Sequence, residues 1–432
     1  MPTYRFPRDF LWGAATAAHQ VEGGNRLNDW WPFEQSGRLP YRSGEACRHW
    51  ELFEQDFDLA RDLGHNAHRL SLEWSRIEPE PGRFDETARA HYDAVIDALL
   101  ARGLEPVVTL HHFTNPQWLA EAGGWLNARA VERFARYVGH AARRYGDRVR
   151  WWLTVNEPTV VAKHAYVVGD WPPGEKGAWG KALRMIAATC REHRRAYRVI
   201  HAIRPDAMVS FAHSCPWVVP CDPNRPQDRL VARARDFFLN DLCFHLVSER
   251  GRPLLDFVAL NYYTRTIVRW KPEGKALRFG ADCLEDHHGE PRRYNDMGAE
   301  ICPDGLLAVL RDHTRFGLPL MITENGVATT DAALRTDYLR GHLAALGRAV
   351  AEGLDVRGYL HWTLMDNFEW ALGTTARFGL AHTDFTTQKR TPRPAAELFR
   401  RVCLTNELVV PEVGQAPVPE IAEPATAAEK VC

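Results

Sequence analysis

Residues 149–158 read Val149-Arg150-Trp151-Trp152-Leu153-Thr154-Val155-Asn156-Glu157-Pro158. This is a short β-branched and aromatic run that ends in an amide, a carboxylate and a proline. Such a run predicts a buried strand, with Glu157 placed where the strand gives out. A second segment repeats the arrangement: Pro319-Leu320-Met321 leads into Ile322-Thr323-Glu324-Asn325-Gly326. Glu324 again stands at the end of an apolar strand.

Working outward, comparable segments occur at residues 10–17, 68–74, 104–112, 207–213, 255–263 and 356–362, which with 149–156 and 319–323 predict a set of eight strands. Their apolar character on both faces suits a parallel sheet covered by helices. Amphipathic stretches lie between them. Residues 88–100 carry Tyr92, Val95, Ile96, Leu99 and Leu100 at helical spacing and stop at Gly103. Residues 129–145 repeat the pattern and stop at Gly146. Further helices are predicted over 53–63, 181–203, 230–247, 305–316, 336–351 and 395–402. The alternation predicts an α/β chain folded as a single (β/α)8 TIM barrel over residues 1–404, with its active site at the C-terminal ends of the strands. A doubly wound sheet with a second domain is the alternative, but no Gly-rich phosphate loop follows the first strand. Residues 270–295 are polar and aperiodic and read as an excursion on the βα side. Residues 405–432 read as a C-terminal tail, disordered or loosely docked.

The 432 residues carry 54 Lys+Arg against 55 Asp+Glu, so no long-range field attracts nucleic acid or an anionic membrane. No apolar run approaches the roughly 20 residues of a membrane span, and the N-terminus has no signal-peptide pattern. Nine cysteines without C-x-x-C spacing argue against a disulfide framework or zinc ribbon and for a reducing cytoplasm.

In a barrel of this kind the strand ends gather around one cavity. In order they offer His19-Gln20-Val21-Glu22; Arg69 with Glu73-Trp74; His111-His112; Asn156-Glu157; Asn261-Tyr262-Tyr263; Glu324; and Trp362 followed by Asp366-Asn367-Phe368-Glu369-Trp370. Carboxylates and amides suit sugar hydroxyls, and indoles suit the C–H face of a sugar ring. Two carboxylates in such a mouth can cut a glycosidic bond if one stays ionised, beside a cation such as Arg69, while the other keeps a proton.

At these residues the chain resembles glycoside hydrolase family 1, the retaining β-glucosidases and β-galactosidases. The resemblance covers roughly residues 5–405. It rests on Phe10-Leu11-Trp12-Gly13-Ala14-Ala15-Thr16-Ala17-Ala18-His19-Gln20-Val21-Glu22-Gly23, on the two glutamate motifs, and on Trp362-Thr363-Leu364-Met365-Asp366-Asn367-Phe368-Glu369-Trp370, all in order. It implies Glu157 as general acid/base and Glu324 as nucleophile. It implies Gln20, His112, Asn156 and Glu369 as partners of the sugar hydroxyls, Trp362 as the platform under the ring, Trp370 beside the far hydroxyls and Phe378 as an aromatic wall. Tyr263 and Arg69 are implied to bond or orient the nucleophile, with Asn261 in support. The third-strand motif, His111-His112-Phe113-Thr114-Asn115-Pro116, departs from the family in having no tryptophan after the histidine. Residues 214–254 form a shorter segment than the family's usual one.

The implied activity is exo-acting, retaining hydrolysis of terminal β-linked glucose, galactose or fucose from small β-glycosides or short β-linked oligosaccharides, without metal or organic cofactor. Competing readings are a transglycosylase using the same covalent intermediate, a 6-phospho-β-glycosidase and a non-catalytic sugar-binding protein. The phosphate reading needs cations near the sugar 6-position, where Glu369 stands and Arg377 is the nearest base in sequence. For single residues the structural alternatives are a core or metal-bound His112 with His111, core Trp151 and Trp152, and a solvated His287-His288 pair. The sequence leaves the oligomeric state open.

Overall fold

The computed structural model describes residues 2–272, 280–283 and 292–410. Its centre is a closed barrel of eight parallel strands, β1 (Leu11–Ala15), β2 (Ala67–Ser71), β3 (Glu105–Thr109), β4 (Trp151–Asn156), β5 (Met208–Ser214), β6 (Val258–Asn261), β7 (Leu320–Asn325) and β8 (Val356–Trp362). Each strand pairs with its neighbour in sequence, and β8 closes on β1 through Gly358↔Leu11 to Trp362↔Ala15. The expected (β/α)8 architecture is therefore the observed one.

The strands read as nearly continuous apolar runs because they are covered twice. Their inward side chains, including Val107, Trp151, Leu153, Ala259, Met321 and Leu360, fill the barrel. Their outward side chains pack under helices such as Glu86–Ala101, Ala130–Tyr145, Trp179–Ile203, Pro303–His313 and Ala332–Ala351. Asp85 caps the first of these by accepting from the Ala88 amide, and Asp331 caps the last through the Ala333 and Leu334 amides. Trp152 is fully buried and its indole donates to the Val149 carbonyl, a core role. Two glycines mark tight contacts between strands: a Cβ on Gly13 would stand 2.0 Å from the Ala67 carbonyl oxygen, and one on Gly326 1.8 Å from that of Trp362.

Three expectations need correction. The tail does not begin at residue 405: the helix Pro394–Thr405 is followed by a strand, Glu407–Val409, that pairs antiparallel with Thr3–Arg5. A three-residue strand is too short to leave a periodic signal. Residues 411–432 lie outside the described residues. The excursion over 270–295 is not wholly irregular, because Ala281–Asp282 joins Arg265–Arg269 and Trp217–Pro220 in a three-stranded sheet. The cysteines are not all unpaired: Cys221 and Cys283 form a disulfide across this sheet, a pairing invisible from two residues 62 positions apart. His287 and His288 lie outside the described residues. Among the described residues, no helix is long and apolar enough to cross a membrane.

Candidate active site

Glu157 and Glu324 reach the cavity because the ladder is irregular where their strands end. The register shifts between Leu153 and Asn156 in β4, and between Ile322 and Asn325 in β7. Such bulges re-aim the side chains that follow them. Glu157 itself adopts a left-handed conformation, φ 43° and ψ 65°, immediately before Pro158 opens a helix (Pro158–Lys163). A following proline disfavours the right-handed helical region, and the left-handed one costs about 1–2 kcal/mol. The Glu157 amide donates to the Ala212 carbonyl at 2.8 Å, which helps hold this turn.

Arg69, fully buried in β2, lies beneath both carboxylates. Its guanidinium donates to Glu324 Oε1, to the Thr323 carbonyl at 3.1 Å, to Asn156 Oδ1 at 2.7 Å and to Thr109 Oγ1 at 3.0 Å. The Tyr263 hydroxyl donates to the other Glu324 oxygen at 2.6 Å. Each oxygen of Glu324 thus has a fixed donor, one of them charged. Asn261 Nδ2 donates to Glu157 Oε1 at 2.8 Å, and Asn261 Oδ1 accepts from Thr323 Oγ1 at 2.7 Å. Asn261 therefore ties the end of β4 to the end of β7 through β6.

The surroundings act strongly on the Glu157 carboxyl. Burial and the neighbouring Glu324 charge raise the Glu157 pKa to about 8, against lowering by Asn261 and Arg69. Glu157 therefore carries its proton at neutral pH. Burial and Glu324 likewise raise Glu369 to about 8, with hydrogen bonds from Gln20 and Trp362 opposing. Burial, together with Arg69, pushes His112 well below its usual value and keeps it neutral.

A cavity of about 320 Å³ is lined by His112, Asn156, Glu157, Tyr263, Glu324, Trp362, Glu369, Trp370 and Phe378, among others. Gln20 Nε2 donates to Glu369 Oε2 at 3.1 Å and to the Phe368 carbonyl at 2.9 Å. The His112 ring stands 5.8 Å from Trp362 and 6.1 Å from Trp370, nearly parallel to both. Among the described residues, Gln20 Oε1 and His112 Nδ1 are buried without a hydrogen-bond partner. Of the candidate residues, Gln20, Arg69 and Asn261 do not line the cavity and instead donate to Glu369, Glu324 and Glu157 on its wall.

Other strand-end groups do not converge on the mouth. Glu22 pairs with Arg76 and accepts from Tyr92, Glu73 accepts from Ser75 and Thr114, and Asp366 pairs with Arg393. Tyr262 points away and donates to the Cys302 carbonyl. His111 contacts Asn115 and packs edge-on against Trp125, and among the described residues no cluster of three His, Cys, Asp or Glu side chains could hold a metal ion. Sequence reasoning missed Trp171, Phe113, Val160 and the His164–Asp170 pair, which also line the cavity. Trp171 stands in Gly169-Asp170-Trp171-Pro172-Pro173, and a large aromatic in so turn-rich a loop was the available signal. Phe113, in place of the absent tryptophan, adopts φ 73° and sets its ring at a tilt against Trp171 and Trp370.

The model of glycosyl hydrolase family 1 matches residues 3–253 and 248–408. A β-galactosidase of Pyrococcus woesei is 31% identical over 93% of this chain and 97% of its own length. β-Glucosidase A of Thermotoga maritima is 32% identical over 94% of this chain and 100% of its own. Among solved structures, a β-glycosidase from Pyrococcus horikoshii superimposes with TM-score 0.87 at 37% identity, covering 95% of this chain and 97% of that one. The Thermotoga maritima family 1 β-glucosidase in complex with isofagomine lactam gives 0.88 at 30% identity, over 94% and 100%.

Proposed function

Since this chain belongs to glycosyl hydrolase family 1 and is a glycoside hydrolase, we propose that it removes terminal β-linked sugars with retention, Glu324 attacking and Glu157 serving first as acid and then as base. The observation that carries this reading is the opposed environment of the two carboxylates in one cavity. Glu324 has a cation and a phenol as donors, while Glu157 holds a proton up to about pH 8.

In the first half-reaction a Glu324 oxygen bonds to the anomeric carbon as the bond from that carbon to the aglycone oxygen breaks. The Glu157 proton passes to the departing oxygen, which leaves as an alcohol. The Glu324 charge disappears in the glycosyl ester, and with it one cause of the raised Glu157 pKa. Glu157, now ionised, takes a proton from water, whose oxygen displaces Glu324. The sum is glycoside plus water giving sugar plus alcohol.

Gln20, His112, Asn156 and Glu369 are assigned to the sugar hydroxyls. The unpartnered Gln20 Oε1 and His112 Nδ1 support this, since a buried polar atom without a partner costs about 1–3 kcal/mol that a ligand can recover. Trp362 is assigned to the ring face, with Trp370 and Phe378 as walls. The names of the relatives, β-galactosidase and β-glucosidase A, support a gluco- or galacto-configured sugar. The phospho-sugar alternative gains nothing from Arg377, which lies 3.5 Å from Asp366 and over the Phe385 ring.

Three measurements test the assignment. Glu324→Gly abolishes turnover of aryl β-glycosides, and azide restores it as the α-glycosyl azide; an inactive variant without rescue removes Glu324 as nucleophile. Glu157→Ala spares activated aryl substrates far more than alkyl ones, and equal losses contradict an acid role. Proton NMR finds the β-anomer as the first product, whereas an initial α-anomer overturns retention.

A further inference from the structure

A second, larger cavity adjoins the catalytic one. It measures about 490 Å³, and its walls include Val160, Val167, Trp179, Leu183, Ile186 and Leu239. Val160 and Tyr263 line both cavities. The helix Pro158–Lys163, which starts at the residue after Glu157, supplies Thr159, Val160, Ala162 and Lys163 to this second wall. The group that protonates the leaving oxygen is therefore the head of the element that builds the cleft. A leaving alcohol must extend from the glycosidic oxygen on the side of its proton donor, which is toward this helix.

The cleft is built for hydrocarbon. Trp179 and Leu183 stand four residues apart at the start of the helix Trp179–Ile203, on one face of it, and stay 43% and 48% exposed. Ile186 on the same helix is buried, and Val160 and Val167 add further apolar surface to the wall. Three charged side chains reach the wall: Arg235 and Asp282 are joined by an ion pair, and Lys163 is the third. Exposed apolar side chains gathered around a concavity mark a binding site. A second sugar would demand a ring of side-chain amides and carboxylates like that around Glu369, whereas this wall has no side-chain amide and its one carboxylate, Asp282, is held by Arg235.

We propose that this cleft takes an unbranched hydrocarbon chain carried by the leaving alcohol, so that the preferred substrates are β-glycosides of long-chain alcohols. The proposal rests on the assignment of Glu157 as acid and adds the class of aglycone to it. The reaction is unchanged: the chain departs as an alcohol with the proton from Glu157 and is replaced by water.

The test is a series of methyl, butyl, hexyl and octyl β-glucosides and β-galactosides, assayed below their micellar concentrations. Burial of each methylene is expected to raise kcat/KM about two- to fourfold until the cleft is filled. Leu183→Asp sets a charge in the cleft and flattens the rise, read as the ratio of octyl to methyl kcat/KM. That ratio is internal to each protein, so a partly inactive preparation does not alter it. A flat series in the wild type, with methyl and aryl glycosides still turned over, overturns the hydrocarbon assignment and leaves the glycosidase reading standing. A steep series that Leu183→Asp leaves steep also overturns it, because the chain then binds elsewhere. No turnover of any member, aryl glycosides included, defeats the glycosidase reading and the hydrocarbon assignment with it.

Discussion

Arg69 donates to four acceptors on β3, β4 and β7 and is fully buried while doing so. Lysine has a single point of charge and cannot reproduce a planar fork with several directions. Arg69→Lys is therefore expected to lower kcat on an aryl β-glycoside by roughly 10- to 100-fold, the worth of a charged hydrogen bond of about 1.5–3 kcal/mol. Circular dichroism of the variant should remain that of the parent; unchanged kcat would deny Arg69 its part in positioning Glu324. The proton on Glu157 sets a second expectation. An acid raised to about 8 is lost as pH rises through that value, so kcat/KM falls on the alkaline side. Glu157→Gln should lack this limb on activated aryl substrates, and a limb that persists would belong to another group.

At the scale of strands and helices, the barrel tolerates little between neighbours. Gly326→Ala would push a Cβ into the Trp362 carbonyl oxygen, where only backbone can give way. Overpacking of this kind costs about 1–3 kcal/mol or more. The variant is expected to melt several degrees lower and to lose activity, because β7 and β8 carry Glu324 and Trp362 at that point. An unaltered Tm would mean that the strands part more easily than their spacing implies. These elements were legible in the sequence to different degrees. β8 was read at its observed bounds, and the other barrel strands within a few residues, because each is buried on both faces and ends at a polar break. Glu324 falls inside β7 and not beyond it, since the bulge that turns it inward leaves no mark on apolar patterning. The site residues came from motifs at strand ends. Trp171 and Val160 did not, because they belong to a loop and a short helix whose place over the cavity is fixed only by the closed barrel. Glu22, Glu73 and Asp366 looked equally available in one dimension, and their buried partners come from distant segments.

Over the whole molecule, the two raised carboxylates link chemistry to stability. Between their ordinary value of 4.5 and about 8, the folded protein holds protons on Glu157 and Glu369 that the unfolded chain has released. Stability from this source is complete below 4.5 and is lost as pH rises toward 8. Glu369→Gln should make Tm less dependent on pH across that window, measured by differential scanning calorimetry; an unchanged slope would contradict the raised value. The ends of the barrel domain are joined as well. Asn406 donates to the Phe6 and Pro7 carbonyls and accepts from the Trp12 indole at 2.9 Å, beside the strand pair of Thr3–Arg5 and Glu407–Val409. Asn406→Ala is expected to cost about 1–3 kcal/mol, leaving kcat unaffected because the clasp lies at the opposite end from the cavity. The same separation has an evolutionary corollary. Arg69 draws its partners from the sheet alone, so insertions, deletions and swaps in the surrounding loops can redirect which leaving groups are accepted while the reacting pair keeps its alignment. Selection on one need not disturb the other.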